Sequence, residues 1–403
     1  MGLLLCLGAL LALTAADAAQ ATAPVGSNGK IAYGRFAGPL SDVYTINPDG
    51  TGTINLTNTP SASEAEPSWS PTGARIVFSF CISSSCDIGV MNADGSGLAN
   101  LTNSPGMNRE QRPAFSPDGQ LIAYDRDSAG GVRPSIWVMN QDGTNQHALT
   151  TNTAPDSDFT PDFSPDGNTI TYTHCTGAPQ FQCDIWSMNS DGSGQHPLTS
   201  TPSPSSELGS SFSPTGASIV FQVDIGNTGA DDLAIMNADG SGRRPLTETP
   251  DGERRPVFSA DGLRLAFAFF GTSASQSDIF TSDVNAQRQT NLTNTLSSTD
   301  GENNPDWEDV QTCGGSRATI VGDDGPDVLL GTAGRDVVDA NAATTAKNVV
   351  KARAGNDLIC VGPGKAKVKC GKGKRDKVIA KGKGKRKVKG CEIRKGKFGG
   401  KRK

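Results

Sequence analysis

Six times between Asn28 and Val310 the chain repeats a phrase in three parts: a turn of the form P-x-(W/F)-S-P-x-G, a short apolar run, and an (I/V/L)-x-x-M-N-x-D-G segment ending in L-T. The aromatic of the first part stands at Trp69, Phe115, Phe163, Phe212, Phe258 and Trp307, in steps of 46, 48, 49, 46 and 49 residues. Self-similarity at that period predicts an array of small sheets, each covered by its neighbours.

Each repeat holds four apolar stretches of strand length separated by turn chemistry, the content of one four-stranded propeller blade. In the second full unit they are Pro113 to Ser116, Leu121 to Tyr124, Ile136 to Asn140 and His147 to Thr150. Connectors such as Pro117-Asp118-Gly119, and the Asn-x-Asp-Gly segments at Asn47, Asn92, Asn140, Asn189 and Asn237, place glycine where a tight turn needs it. Second and third strands each occur six times, but no first strand precedes Ile31. A spare one, Pro305 to Glu308, ends the array. The chain is therefore expected to be all-β, a six-bladed propeller over 26–311 closed by a C-terminal strand that completes the first blade.

The phrases PSWSPTGARIVF, PAFSPDGQLIAY and PDFSPDGNTITY, paired with DIWSMNSDGSGQHPLT and LAIMNADGSGRRPLT, resemble the WD40-like repeat of the TolB-type β-propeller family over about seven tenths of the chain. The resemblance implies an extracytoplasmic protein-interaction platform, although such propellers also accompany peptidases and lyases. Fold alone does not choose between these.

Residues 1–19 read as a signal peptide, a leucine- and alanine-rich run ending in Ala16-Asp17-Ala18-Ala19 that is too short to be a membrane anchor. No later stretch is long and apolar enough to span a bilayer, so a secreted, periplasmic or envelope-associated protein is expected. Cysteine placement agrees: Cys81 with Cys86 and Cys175 with Cys183 occupy the same position of two repeats, facing across one hairpin loop. Two disulfides are predicted there. His174 is the one histidine beside either pair, too few ligands for a metal. The pairing of Cys313, Cys360, Cys370 and Cys391 stays open.

Beyond the array, VGDDGPDVLLGTAGRDVVDA and RAGNDLICVG resemble the haemolysin-type calcium-binding nonapeptide repeat. The resemblance implies a short, degenerate parallel β-roll over 317–364, with Asp327, Asp336 and Asp357 as weak calcium ligands, since the repeat spacing is irregular and the cage incomplete. From 365 to 403 the chain carries 19 Lys or Arg against Asp376 and Glu392, a net of +17 in a protein of net −5. Such a basic tail is expected to hold anionic polymer electrostatically; with Phe398 as its only aromatic, it is not built to stack bases.

Catalytic signatures are sparse. His147 and His196 are equivalent outer-strand positions, and the Asp-Gly-Ser-Gly segments are hairpin loops, not nucleophile elbows. The loops leading into the first strands ring one end of the channel and hold Glu64, Glu66, Arg109, Arg112, Asp158, Glu207, Arg254, Arg255 and Asn303. Variable loops on a rigid scaffold carry recognition. These residues are the predicted contact set for a protein or glycan, in a chain read as non-catalytic. The alternative is a carbohydrate-active enzyme using the carboxylates among them.

Overall fold

The structure, a computed structural model, describes residues 27–310 apart from short segments at 39, 105–107, 129–131, 153–154, 178–181, 226–230, 272–276 and 296–299; beyond 310 it describes the backbone of short strands between 312 and 393. Segment 1–19 and the calcium candidates Asp327, Asp336 and Asp357 lie outside the described residues. Among the described residues there is no helix, and none that could cross a membrane.

Strand order follows the chain. One antiparallel sheet runs Ser157–Phe163, Thr169–Thr176, Gln182–Asn189, His196–Pro197, and the sheets beginning at Ser206 and Gly252 repeat it. An eight-stranded sheet contains two such quartets, beginning at Ser63 and Arg109, joined by a single parallel bridge between Cys86 and Arg109. The remaining sheet is assembled from both ends of the array. Asp300–Val310 pairs antiparallel with Ser27–Ala37, Trp307 opposite Ile31, and covers the edge that the first strand would otherwise expose. The protein is an all-β propeller.

Apolar side chains fill the spaces between neighbouring sheets. Trp69 packs with Ala32 and Val43 of the preceding sheet and Ile76, Phe78 and Met91 of its own. Trp307 and Ile31 pack against Ala266, Ala268 and Ile279 of the last sheet, so apolar packing continues across the junction of the chain ends. The repeated aromatic is thus the wedge between sheets, which is why the period carries one.

Cys81 and Cys86 are disulfide-bonded and in register across their hairpin, as are Cys175 and Cys183. Beyond Val310, Thr312–Cys313 pairs antiparallel with Ser316–Arg317, and the strands from Ile320 onward pair in parallel and alternate between two sheets. One is Ile320–Val321, Val337–Ala340, Leu358–Val361, Lys377–Ala380, Glu392–Ile393; the other is Val328–Leu330, Lys347–Lys351, Lys365–Lys369, Arg386–Lys389.

Candidate binding site at the channel mouth

The first strands begin earlier than their apolar pattern suggests. The sequence reading starts that strand of the second full unit at Pro113, whereas it runs Arg109–Phe115. Proline removes a ladder donor and ordinarily ends pairing. Here the chain passes it by a β-bulge, with register jumps between Ala65 and Ser68, Gln111 and Ala114, Phe159 and Asp162, and Arg254 and Val257, and the same jump occurs between Leu208 and Ser211, where Ser210 stands in the proline's place.

The bulge corrects the sequence reading of Glu64, Asp158 and Glu207. These do not project from mouth loops; they are second residues of first strands, no more than 2 % exposed, as are the equivalent Glu110 and Glu253, and Glu302, third in its longer strand, is equally buried. The repeat's L-T ending explains why they are buried. Asp278 accepts from Asn291 Nδ2 (2.7 Å), Thr293 Oγ1 (3.2 Å) and the Thr295 amide (3.0 Å), while Thr295 Oγ1 also reaches Glu302 at 3.1 Å. Asp87, Ser104 and Glu110 repeat the arrangement, with Ser104 Oγ donating to Glu110 at 2.6 Å. Each such system ties the end of one sheet to the start of the next. Burial pushes Glu253 and Glu302 up to about 7. Asp158 and Glu207 depart from the pattern and take His174 (2.6 Å) and Arg243 (2.5 Å).

At the bulge stands the residue two further along: Glu66, Arg112, Thr160, Gly209, Arg255 and Asn304, all with φ between 51° and 58°. They line a cavity of about 130 Å³ formed by the same three consecutive positions of six first strands. One step deeper come Asp162 and Asp306, which burial raises to about 7 and about 6. They accept the amides of Phe212 (3.0 Å) and Trp69 (2.6 Å), fastening neighbouring first strands.

Arg112 organises the rim. Its Nη1 lies 3.0 Å from Asp125 Oδ2 and its Nε 3.4 Å from Glu66 Oε1. Burial would raise Glu66, but Arg112 and the Ser79 hydroxyl, at 2.6 Å, hold it below the usual carboxylate range. Arg255 differs. Among the described residues no carboxylate forms an ion pair with it; burial and then the neighbouring Arg112 lower its guanidinium to about 10. A side chain at Gly209 would meet Arg255 Cδ at 3.3 Å, so the glycine leaves room for it.

Outside the rim a second cavity, about 420 Å³, is lined by Glu66, Arg109, Gln111, Gln222, Arg254, Arg255, Asn303 and Asn304 beside Phe36 and Cys81. The structure therefore brings together five of the nine sequence candidates, Glu66, Arg109, Arg254, Arg255 and Asn303, and sets Arg112 one level inside. Gln111, Gln222 and Asn304 were missed. The signal for Asn304 was positional: the residue directly before the first proline of a repeat faces the channel. His147 and His196 bond neighbouring carbonyls at 2.9 and 2.8 Å on exposed outer strands. The His174 ring lies tilted against Trp186, with centroids 4.5 Å apart. No three His, Cys, Asp or Glu side chains among the described residues are placed to hold a metal.

Comparison with known proteins places this architecture. The sequence profile of the family described as the TolB beta propeller domain matches residues 18–256. The chain is similar in fold to TolB from Acinetobacter baumannii (TM-score 0.56, 18 % identity, 69 % of this chain and 66 % of that one). It also resembles a putative TolB from Agrobacterium tumefaciens (0.51, 20 %, 66 % and 89 %) and Kuenenia stuttgartiensis hydrazine synthase (0.57, 16 %, 71 % and 47 %). The chain thus spans just under two thirds of the A. baumannii protein's length and about half of the hydrazine synthase chain. No curated protein sequence matches it. With a profile match over more than half its length, carried by the blade repeats, this chain belongs to the TolB beta propeller domain family.

Proposed function

We propose that this chain is an exported, envelope-associated propeller that binds a protein partner at the channel mouth and is retained by its basic C-terminal region. We count the eight-stranded sheet as two blades, which gives six around the channel, and read the parallel strands beyond 310 as a β-roll. The observation that carries the binding role is the mouth cavity of about 420 Å³, whose amide and guanidinium side chains offer donors over a rigid rim. Disulfides at two hairpins suit an oxidising compartment.

Binding is favoured over the glycosidase alternative because Glu66 is the one carboxylate lining that cavity among the described residues, and Arg112 keeps it ionised. Acid catalysis would need a carboxyl that holds its proton. Calcium also stays within the proposal. In sequence, Asp336 and Asp357 stand directly before the parallel-paired strands Val337–Ala340 and Leu358–Val361, and Asp327 directly before a strand of the other sheet.

The test is capture of envelope proteins by the mature chain and by Arg254→Ala and Arg255→Gln variants. A captured partner is expected to bind the variants at least about tenfold more weakly, as for truncated interface arginines. Undiminished affinity, or glycoside turnover lost in Glu66→Gln, would sink the reading.

A further inference from the structure

Alternate strands from 328 to 389 build one parallel sheet: Val328–Leu330, Lys347–Lys351, Lys365–Lys369 and Arg386–Lys389. Parallel pairing sets like positions side by side, so the sequence can be read down register columns. Leu330, Lys351, Lys369 and Lys389 form one column; Val328, Val349, Lys367 and Lys387 form another; Lys347 stands beside Lys365 in a third. These columns lie two residues apart along each strand, which assigns them to one face of the sheet. The intervening columns, Leu329–Val350–Val368–Val388 and Asn348–Ala366–Arg386, belong to the other.

One face therefore carries seven lysines and no acid, while the opposite face carries Arg386 as its single charge. The companion sheet has one lysine, Lys377. Like charges on directly opposed strand positions destabilise a sheet. Alternation with the apolar columns explains why the lysines share a face, but not why seven of the eight strand lysines stand in one sheet at a repulsive cost, and that concentration marks a surface kept for another purpose.

We propose that this lysine face is a docking surface for an extended anionic polysaccharide with one carboxylate per sugar. Within a column, lysine positions recur at the strand spacing of about 4.8 Å. An extended polyuronate carries one carboxylate per ring along a straight axis, so those turned toward the sheet meet a line of lysine positions. Duplex nucleic acid curves its phosphates away from a flat face, and no aromatic stands in this sheet to stack a base. The inference rests on the proposed retention by the basic region and assigns it to one face.

Immobilised polygalacturonate is the probe, with the full chain and two quintuple variants that remove equal charge. Lysine-to-glutamine changes at 351, 367, 369, 387 and 389 are expected to weaken binding at least about tenfold. The same changes at Lys372, Lys374, Lys381, Lys383 and Lys385, outside the described strands, are expected to cost no more than about threefold. Arginine at the five strand positions should retain binding. Equal losses from the two glutamine sets overturn the ordered face, even if one set perturbs folding. Tighter binding to duplex DNA or phosphatidylglycerol vesicles overturns the glycan. A chain lacking 365–403 that binds as well as the whole would sink retention itself.

Discussion

His174 shows how one substitution in a repeated position changes the chemistry of a joint. The second-strand residue paired with the buried acid is Arg35 beside Glu302, Arg126 beside Glu110, Phe80 beside Glu64 and Phe269 beside Glu253. Only beside Asp158 is it a histidine. The Asp158 hydrogen bond raises the His174 pKa above its ordinary value, against the opposing effect of burial. A group whose folded pKa is raised contributes stability that is full below its unfolded pKa, near 6.5, and lost as pH rises through the folded value. His174→Phe copies the pairing beside Glu64 and Glu253. Its destabilisation, measured by chemical denaturation, is expected to be about 1–2 kcal/mol at pH 6 and smaller at pH 8.5. A cost that grows with pH would refute the charged pair.

At the scale of the strand, the closing element carries more than its length suggests. Asp300–Val310 supplies the innermost strand of the first sheet, and its Trp307 is 6 % exposed between that sheet and the last. Losing a buried tryptophan alone costs about 3–5 kcal/mol, which in a domain of this size lowers the melting temperature by about 10 °C. Deleting 304–403 should therefore destabilise the propeller by at least that much, and deleting 313–403 by a few degrees at most. Equal melting temperatures would overturn closure by this strand. The closure was legible in the sequence because counting first, second and third strands left a first strand missing at the N-terminal end and one spare at the other. The disulfides were legible because two repeats carried cysteines at the same place. The bulges were not: residues as unlike as Glu66, Arg112, Thr160 and Asn304 adopt the same left-handed backbone, and side-chain type gives no warning. With the bulge hidden, proline looked like the start of the strand, and the acids before it looked like loop residues.

For the whole molecule, the buried carboxylates give a direction to its pH dependence. Burial raises Glu253, Glu302 and Asp162 to about 7, and Asp125, Asp306 and Asp309 to about 6, Asp125 despite the opposing charge of Arg112. In each case, between the ordinary carboxylate range and the raised value, the folded state holds a proton that the unfolded chain has released. Their contribution is complete below about pH 4, the ordinary carboxylate range, and disappears as pH passes 6 to 7. The opposite tendency comes from turn aspartates such as Asp49, Asp94 and Asp191, lowered by their own Thr or Ser hydroxyls, whose contribution is lost only as pH falls below the ordinary value. Between these windows the buried set decides the sign, and the acidic charge outside the tail adds repulsion in the same direction as pH rises. The melting temperature is therefore expected to be higher at pH 5 than at pH 8, measured at fixed ionic strength. Glu302→Gln should flatten that slope while keeping an oxygen for Thr295 to bond. A melting temperature that rises from pH 5 to pH 8 would mean that these acids are ionised in the folded propeller, and that the joints between sheets are ion-dipole contacts instead of neutral hydrogen bonds.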